Sequence, residues 1–356
     1  MAEQPAPETI DVRKDERFDE ARVADYLRDE LPGGDQPLSV RQFGGGHANL
    51  TYLLQFGEGD AATEYVLRRP PLGPVAPGSH DMTREYRALS KLWQGFAKAP
   101  RAFVLCEDES LIGAPFFVME RRHGVVVRGV IPASFGGGED ADSNRALSRV
   151  VVDVLAEFHG VDPEPIGLGG IGKPEGFLQR QVNGWAGRYE RARTEDIPIA
   201  EEVRTWLIDN LPKSPPATLL HNDWRLDNMA VAVDDPGDCV AVYDWDMCTL
   251  GDPLCDLGTV LGVWNDPEDR AQGATAMPTH APGFMNRTEA AARYGEVSGR
   301  DLSTLDYYIV FGTFKMAVVL QQIYFRFAEG QTQDERFAGM AGGAKRLFEL
   351  AAERRP

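Results

Sequence analysis

Cysteine is scarce in this chain, with four in 356 residues, at positions 106, 239, 248 and 255. None forms a C-x-x-C pair, and the last three lack the tight spacing and nearby His that zinc ligation uses. Reduced thiols in a cytoplasmic protein are the expectation. Basic charge is also in short supply: 37 Lys and Arg stand against 55 Asp and Glu, a net charge of −18. That balance argues against nucleic acid or an anionic membrane surface as a partner. No apolar run reads as long enough to span a bilayer, so no membrane span is expected. The polar, acidic first twenty residues lack the apolar core of a signal peptide. What remains is ordinary globular material, 43% hydrophobic and 26% charged. Its length exceeds what one hydrophobic core usually holds, so two lobes are expected.

Hydrophobic periodicity sorts the chain into two textures. Residues 1–17 read as a flexible N-terminal tail. Residues 18–121 read as a β-rich lobe: a helix over 18–31, strands over 38–43, 49–56 and 64–69, a helix over 82–93, and strands over 103–107 and 116–120, in a meander-like order. Residues 122–356 read as a mostly helical lobe, with helices over 144–159, 177–192, 199–211, 287–294, 306–329 and 333–355. Short β segments fill 219–260, and a hairpin turns at Asp234-Asp235-Pro236-Gly237-Asp238. The segment 265–286 is a long irregular loop, of the kind that is usually functional. The fold class is α+β, with a hinge near Met119-Glu120-Arg121-Arg122.

The chemistry concentrates in His221-Asn222-Asp223-Trp224-Arg225-Leu226-Asp227-Asn228 and in Tyr243-Asp244-Trp245-Asp246. An Asp followed five residues on by an Asn, and then by a second strand-borne Asp, is the layout of a phosphoryl-transfer site. Such a site needs one carboxylate beside the attacking hydroxyl, with a second carboxylate and an amide oxygen on Mg²⁺. An N-capping Asp or a turn Asn is common alone, but two motifs in order, each leaving an apolar strand, favour the chemical reading. Asp223 is the candidate catalytic residue, and Asn228 and Asp244 are the candidate metal ligands. His221 is expected to brace the loop, Asp256 to hydrogen-bond its backbone, and His159 to pack.

Upstream companions fit the same reaction. Gly44, Gly45 and Gly46 lie between two strands, where backbone N–H groups can approach phosphates, although a plain hairpin turn accounts for them equally well. The loop is neither G-x-x-x-x-G-K-[ST] nor G-x-G-x-x-G. Arg68 at the end of the third strand is the cation for nucleotide phosphates, with Glu85 on the next helix as its partner. Met119 and Glu120 end a strand that could meet adenine. For the acceptor, Tyr307, Lys315, Gln322, Tyr324 and Arg326 are candidates, facing the 265–286 loop.

Together these motifs resemble the aminoglycoside phosphotransferase (APH) family of small-molecule kinases, over roughly residues 38–352. The two signature stretches carry the likeness, extended by Gly251-Asp252-Pro253-Leu254. Arg68 departs from the family's usual Lys. Within the family the chain is most similar to the branch fused to, or encoded beside, acyl-CoA dehydrogenases, through residues 43–51, 65–71 and 311–326. The resemblance implies a protein-kinase-like bilobal fold, ATP and Mg²⁺ as cofactors, and transfer to a hydroxyl of a small molecule. A hydroxyacyl compound or other metabolite is favoured over an antibiotic. The alternative is a catalytically weak nucleotide-binding partner of an acyl-CoA dehydrogenase. A protein kinase ranks last, because the chain has no D-F-G and the span from 244 to 287 has no A-P-E.

Overall fold

A computed structural model describes residues 8–44, 49–73, 81–266, 277–332 and 334–356. They fall into two compact units, Met1–His123 with Tyr243–Asp246, and Gly124–Val242 with Met247–Pro356. The first unit therefore takes in a short segment from far along the chain, which the sequence reading places in the second lobe.

The first unit is built on strands β1 (Thr9–Ile10), β2 (Leu38–Phe43), β3 (Leu50–Phe56), β4 (Thr63–Arg69), β5 (Ala102–Cys106) and β6 (Phe116–Glu120). Helices α1 (Glu20–Leu27) and α2 (Met82–Leu92) accompany them. The sheet is antiparallel with order β1-β2-β3-β4-β6-β5. This corrects the meander: β6 pairs directly with β4 and pushes β5 to the rim. Apolar side chains of β3, β4 and β6 meet α1 in one core, around Val23, Leu27, Tyr52, Leu54, Leu67, Phe116 and Val118. Asp81 caps α2 by accepting from the Thr83 and Arg84 amides at 3.0 and 3.1 Å, a common way to satisfy first-turn donors. Met82, Glu85, Ala88, Leu89 and Leu92 then share its buried face, which puts the Glu85 carboxylate inside the unit.

The expectation of a free tail fails over residues 8–17. Thr9 and Ile10 pair with Phe43 and Gln42. The buried Arg69 guanidinium donates to Glu16 O at 2.9 Å, Ile112 O at 2.8 Å and Tyr52 Oη at 3.1 Å. It also lies over the Phe18 and Tyr52 rings. A charge in the interior requires such partners, and the N-terminal segment supplies one of them.

The second unit holds α3 (Ala141–His159), α4 (Phe177–Ala192), α5 (Pro198–Asp209), α6 (Pro253–Gly262), α7 (Arg287–Ser298), α8 (Leu305–Ala328) and α9 (Met340–Glu353). Two small antiparallel ladders join them. One pairs β7 (Thr218–Leu220) with β10 (Thr249–Gly251), and the other pairs β8 (Met229–Val231) with β9 (Cys239–Val242). Helix α6 is a second correction, since the sequence reading places only β segments there. Every residue of α6 is buried, so it shows no polar face for periodicity to detect. Asp252 caps it, accepting from Leu254 N at 3.0 Å. The expectation about membrane-spanning length also needs correcting at one place. The 24-residue α8 is long and apolar enough by length and composition. It packs against α6 and α9, and residues from Leu305 to Gln321 are buried along it, as in a core helix.

Candidate active site

In the second unit β7 delivers the chain to His221, where the backbone turns sharply. Asn222 has φ +67°, a left-handed conformation that Asn tolerates better than most residues. The Asp256 carboxylate fixes this turn, accepting from the His221 amide at 2.7 Å and the Asn222 amide at 2.8 Å. The Asn222 side chain donates to Met247 O at 2.9 Å, and the Asp223 amide donates to His221 Nδ1 at 3.2 Å. Trp224 is fully buried, stacks on Phe158 and donates to Val151 O at 2.8 Å. The expected bracing roles of His221 and Asp256 are thus both seen in the geometry.

Asp223 remains partly exposed at 33%. Asn228 Nδ2 donates to Asp223 O at 2.9 Å and to Asp223 Oδ2 at 3.0 Å. Arg225 lies 3.4 Å from Asp223 Oδ1 and 3.3 Å from Asp227 Oδ2. Behind the loop, His159 Nδ1 meets Tyr294 Oη at 2.7 Å, and Nε2 lies 3.4 Å from Asp256 Oδ2. Those partners suit a neutral ring that accepts at Nδ1 and donates at Nε2. Burial pushes the His159 pKa down, against the pull of Asp256. Asp256 is held below the usual carboxylate range: burial opposes this, but His159 and the His221 amide outweigh it.

In the first unit, β4 and α2 bring Arg68 and Glu85 together as the sequence suggests, with Arg68 Nε 2.9 Å from Glu85 Oε2. The same guanidinium also bonds Asp244 Oδ1 through Nη2, a contact no spacing signals. Asp244 has φ +68°, and backbone strain of this kind clusters at functional sites. The next amide, Trp245 N, donates to Glu85 Oε1 at 3.3 Å, and the Trp245 ring packs edge-on against Phe96. Burial drives the Glu85 pKa up to about 7, with Arg68 opposing and the Asp244 and Asp246 charges adding to the rise.

Met119 is buried in β6, an interior strand of the sheet between β4 and β5. The Glu120 amide donates to Arg101 O at 2.8 Å, and its carboxylate lies 3.0 Å from Arg122. Gly44 closes β2, with its amide toward Glu8 O at 3.4 Å. Gly45 and Gly46 lie outside the described residues, as does much of the 265–286 loop. Two acceptor candidates are reassigned. Tyr307 Oη donates to Leu207 O at 2.7 Å inside the protein, and Lys315 Nζ donates to Asn222 O at 2.7 Å. Lys315 therefore braces the loop that carries Asp223, from a position 93 residues away that local spacing cannot reveal. Gln322 and Tyr324 are half-buried, and Arg326 is exposed.

Among the described residues no group of three His, Cys, Asp or Glu side chains could hold a metal. The expected donors, one carboxylate and one amide, still suit Mg²⁺, which commonly binds through one or two carboxylates with substrate phosphates and water completing its shell.

The chain matches known proteins along most of its length. It is 32% identical over 358 aligned residues to acyl-CoA dehydrogenase family member 11 of Gallus gallus, covering 98% of this chain and 45% of that protein. It therefore spans about half the length of that relative. A solved structure from Ralstonia eutropha JMP134, provisionally assigned as an aminoglycoside phosphotransferase, superposes with TM-score 0.79 at 29% identity, covering 95% of this chain and 98% of that one. A thermostable mutant of aminoglycoside phosphotransferase APH(4)-Ia, solved with AMP-PNP and hygromycin B, shares the fold at TM-score 0.56 and 14% identity, covering 93% and 98%. The kinase-like fold with its N-terminal antiparallel sheet is common to all of these structures. The profile of the phosphotransferase enzyme family, APH, matches residues 39–285, and the chain belongs to that family.

Proposed function

We propose that the protein is an ATP- and Mg²⁺-dependent kinase that moves the γ-phosphate to a hydroxyl of a small molecule. The observation that carries this is the Asn228 side chain bonded to both the backbone and the carboxylate of Asp223, in a loop braced on every side. In this reading the acceptor oxygen attacks the γ-phosphorus, the bond to the bridging oxygen breaks, ADP leaves, and the hydroxyl proton passes to Asp223. Asn228 and Asp244 are the hard-oxygen ligands for Mg²⁺, which supplies charge neutralisation on the phosphates. Arg68, oriented by Glu85, anchors phosphate. Gly44 would line the phosphates, with the Gly45 and Gly46 of the same motif outside the described residues, and Met119 and Glu120 would flank the adenine. The AMP-PNP complex of the aminoglycoside phosphotransferase is in keeping with a nucleotide donor. The relative named as an acyl-CoA dehydrogenase favours a hydroxyacyl compound or similar metabolite as acceptor.

The test is turnover of purified protein with ATP·Mg²⁺ against hydroxylated metabolites, hydroxyacyl-CoAs and aminoglycosides, alongside Asp223→Ala. Loss of general-base help costs roughly 10²–10⁴-fold in kcat, with the fold intact by circular dichroism. Equal turnover in Asp223→Ala would sink the assignment. A second reading, a nucleotide-binding partner of an acyl-CoA dehydrogenase, is favoured by one observation: Arg68 replaces the family's Lys and is engaged by both Glu85 and Asp244. A thermal shift with ATP·Mg²⁺ but no turnover on any acceptor would select it.

A further inference from the structure

Lys315 stands out among the buried ionisable groups because its bond goes to the catalytic loop itself. It projects from the middle of α8, and its Nζ donates to Asn222 O at 2.7 Å. The acceptor is the carbonyl of the residue held at φ +67°, the peptide that leads directly into Asp223. Asp256 holds the two amides on one side of this turn, and Lys315 holds the carbonyl on the other. The ammonium also lies 5.6 Å from the centre of the Trp185 ring, whose other neighbour is the Arg188 guanidinium at 4.3 Å. The charged groups around Lys315 are Asp223, Asp256 and Arg188, with the thiol of Cys255 nearby.

We propose that Lys315 is a positioning residue for phosphoryl transfer: its ammonium locks the Asn222 carbonyl and so aims the Asp223 carboxylate. The physical logic is one of orientation. A left-handed Asn peptide has a neighbouring right-handed arrangement that costs it little, and a flip of the Asn222–Asp223 peptide would swing Asp223 away from Asn228. A charge-assisted hydrogen bond to that carbonyl is about twice as strong as a neutral one, and it opposes the flip. Burial lowers the Lys315 pKa, and the nearby Asp223 and Asp256 carboxylates oppose that shift. Arg188 adds positive charge nearby, which favours the hydrogen bond to a carbonyl over a solvent-free cation pair.

This proposal rests on the phosphotransferase reading, and the test separates the two. Wild type, Lys315→Met, Lys315→Arg and Asp223→Ala are assayed for phosphate release from ATP·Mg²⁺ with water as acceptor, and with any acceptor found in the screen. Misplacement of a reacting group by about 1 Å can cost on the order of 10²-fold. The expected result for Lys315→Met is therefore a kcat lowered by roughly 10–100-fold, with KM for ATP within about twofold of wild type. Lys315→Arg, which keeps a cationic donor, is expected to recover part of that kcat at unchanged KM. A Lys315→Met protein with wild-type kcat, while Asp223→Ala is inactive, overturns the role of Lys315 and leaves the phosphotransferase reading standing. A fall in kcat and ATP affinity together overturns it too, as the mark of a general structural defect. If Lys315→Met does not fold, Lys315→Gln replaces it under the same criteria: a lowered kcat with KM for ATP kept supports the role, and a wild-type kcat or a joint loss of ATP affinity overturns it. Turnover retained in Asp223→Ala, or absent from the wild type with every acceptor, overturns the reading and the Lys315 role with it.

Discussion

The guanidinium of Arg68 shows how much one residue can hold. Its side chain is only 11% exposed, Glu85 is at 1%, and Asp244 takes the other arm of the fork. Removing one member of a buried pair leaves an uncompensated charge, which costs about 3–5 kcal/mol. Arg68→Met is expected to lose stability in that range by urea denaturation at pH 8, and less at pH 6, because the Glu85 pKa, already raised with Arg68 opposing, climbs further without the cation and the orphaned carboxyl goes neutral as the pH falls. Equal losses at both pH values would contradict the assignment. His159 titrates with the opposite sense. Its folded pKa lies below the unfolded value of 6.5, so the unfolded chain binds the proton first. The stability from the buried neutral ring is present above pH 6.5 and is lost as the pH falls from there through the folded pKa, at up to about 1.4 kcal/mol per pH unit. His159→Gln is expected to flatten the slope of unfolding free energy below pH 6.5. An unchanged slope would place the titration elsewhere.

At the scale of elements, the crossing of α6 and α8 depends on two glycines. A Cβ on Gly258 would lie 2.3 Å from Tyr308 O, and one on Gly312 would lie 2.3 Å from Gly258 O. The backbones touch, so neither helix can yield by turning a side chain. Overpacking of this kind costs typically 1–3 kcal/mol. Gly258→Ala and Gly312→Ala are each expected to lower the urea midpoint accordingly. Gly342 on α9 serves as the control, since its Cβ would meet nothing within 4 Å. Gly342→Ala should gain about 0.5–1 kcal/mol through helix propensity. The same crossing explains what the sequence could and could not disclose. Strand β2 and helices α2 and α3 announce themselves because each keeps one face wet. Helix α6 has no wet face, and its small residues serve a contact made with α8, far along the chain. The pairing of Asp223 with Asn228 was legible because five residues of spacing suffice to define it. Lys315 and the contact between Arg68 and Asp244 were not, because tertiary packing alone makes them.

Over the whole molecule, charge is the dominant long-range term. A net −18 means that folding concentrates like charge, and the resulting self-repulsion destabilises the compact state. The ion pairs that oppose it lie mostly near the surface: Arg145 with Glu289, Arg293 with Asp153 and Arg346 with Glu353 are between about a third and three-fifths exposed. Exposed pairs of this type contribute about 0–1 kcal/mol each. Salt therefore acts on two opposed quantities, weak local attractions and a broad repulsion. Between 10 mM and 150 mM NaCl the screening length falls from about 30 to 8 Å, and repulsion between charges tens of ångströms apart is the part most reduced. The melting temperature is expected to rise by about 1–2 °C over that range, corresponding to about 1 kcal/mol for a chain of this length. Guanidinium chloride should likewise stabilise at its lowest concentrations before it denatures, and urea should not. A melting temperature that falls with NaCl would show that specific ion pairs, rather than net charge, set the electrostatic balance of this protein.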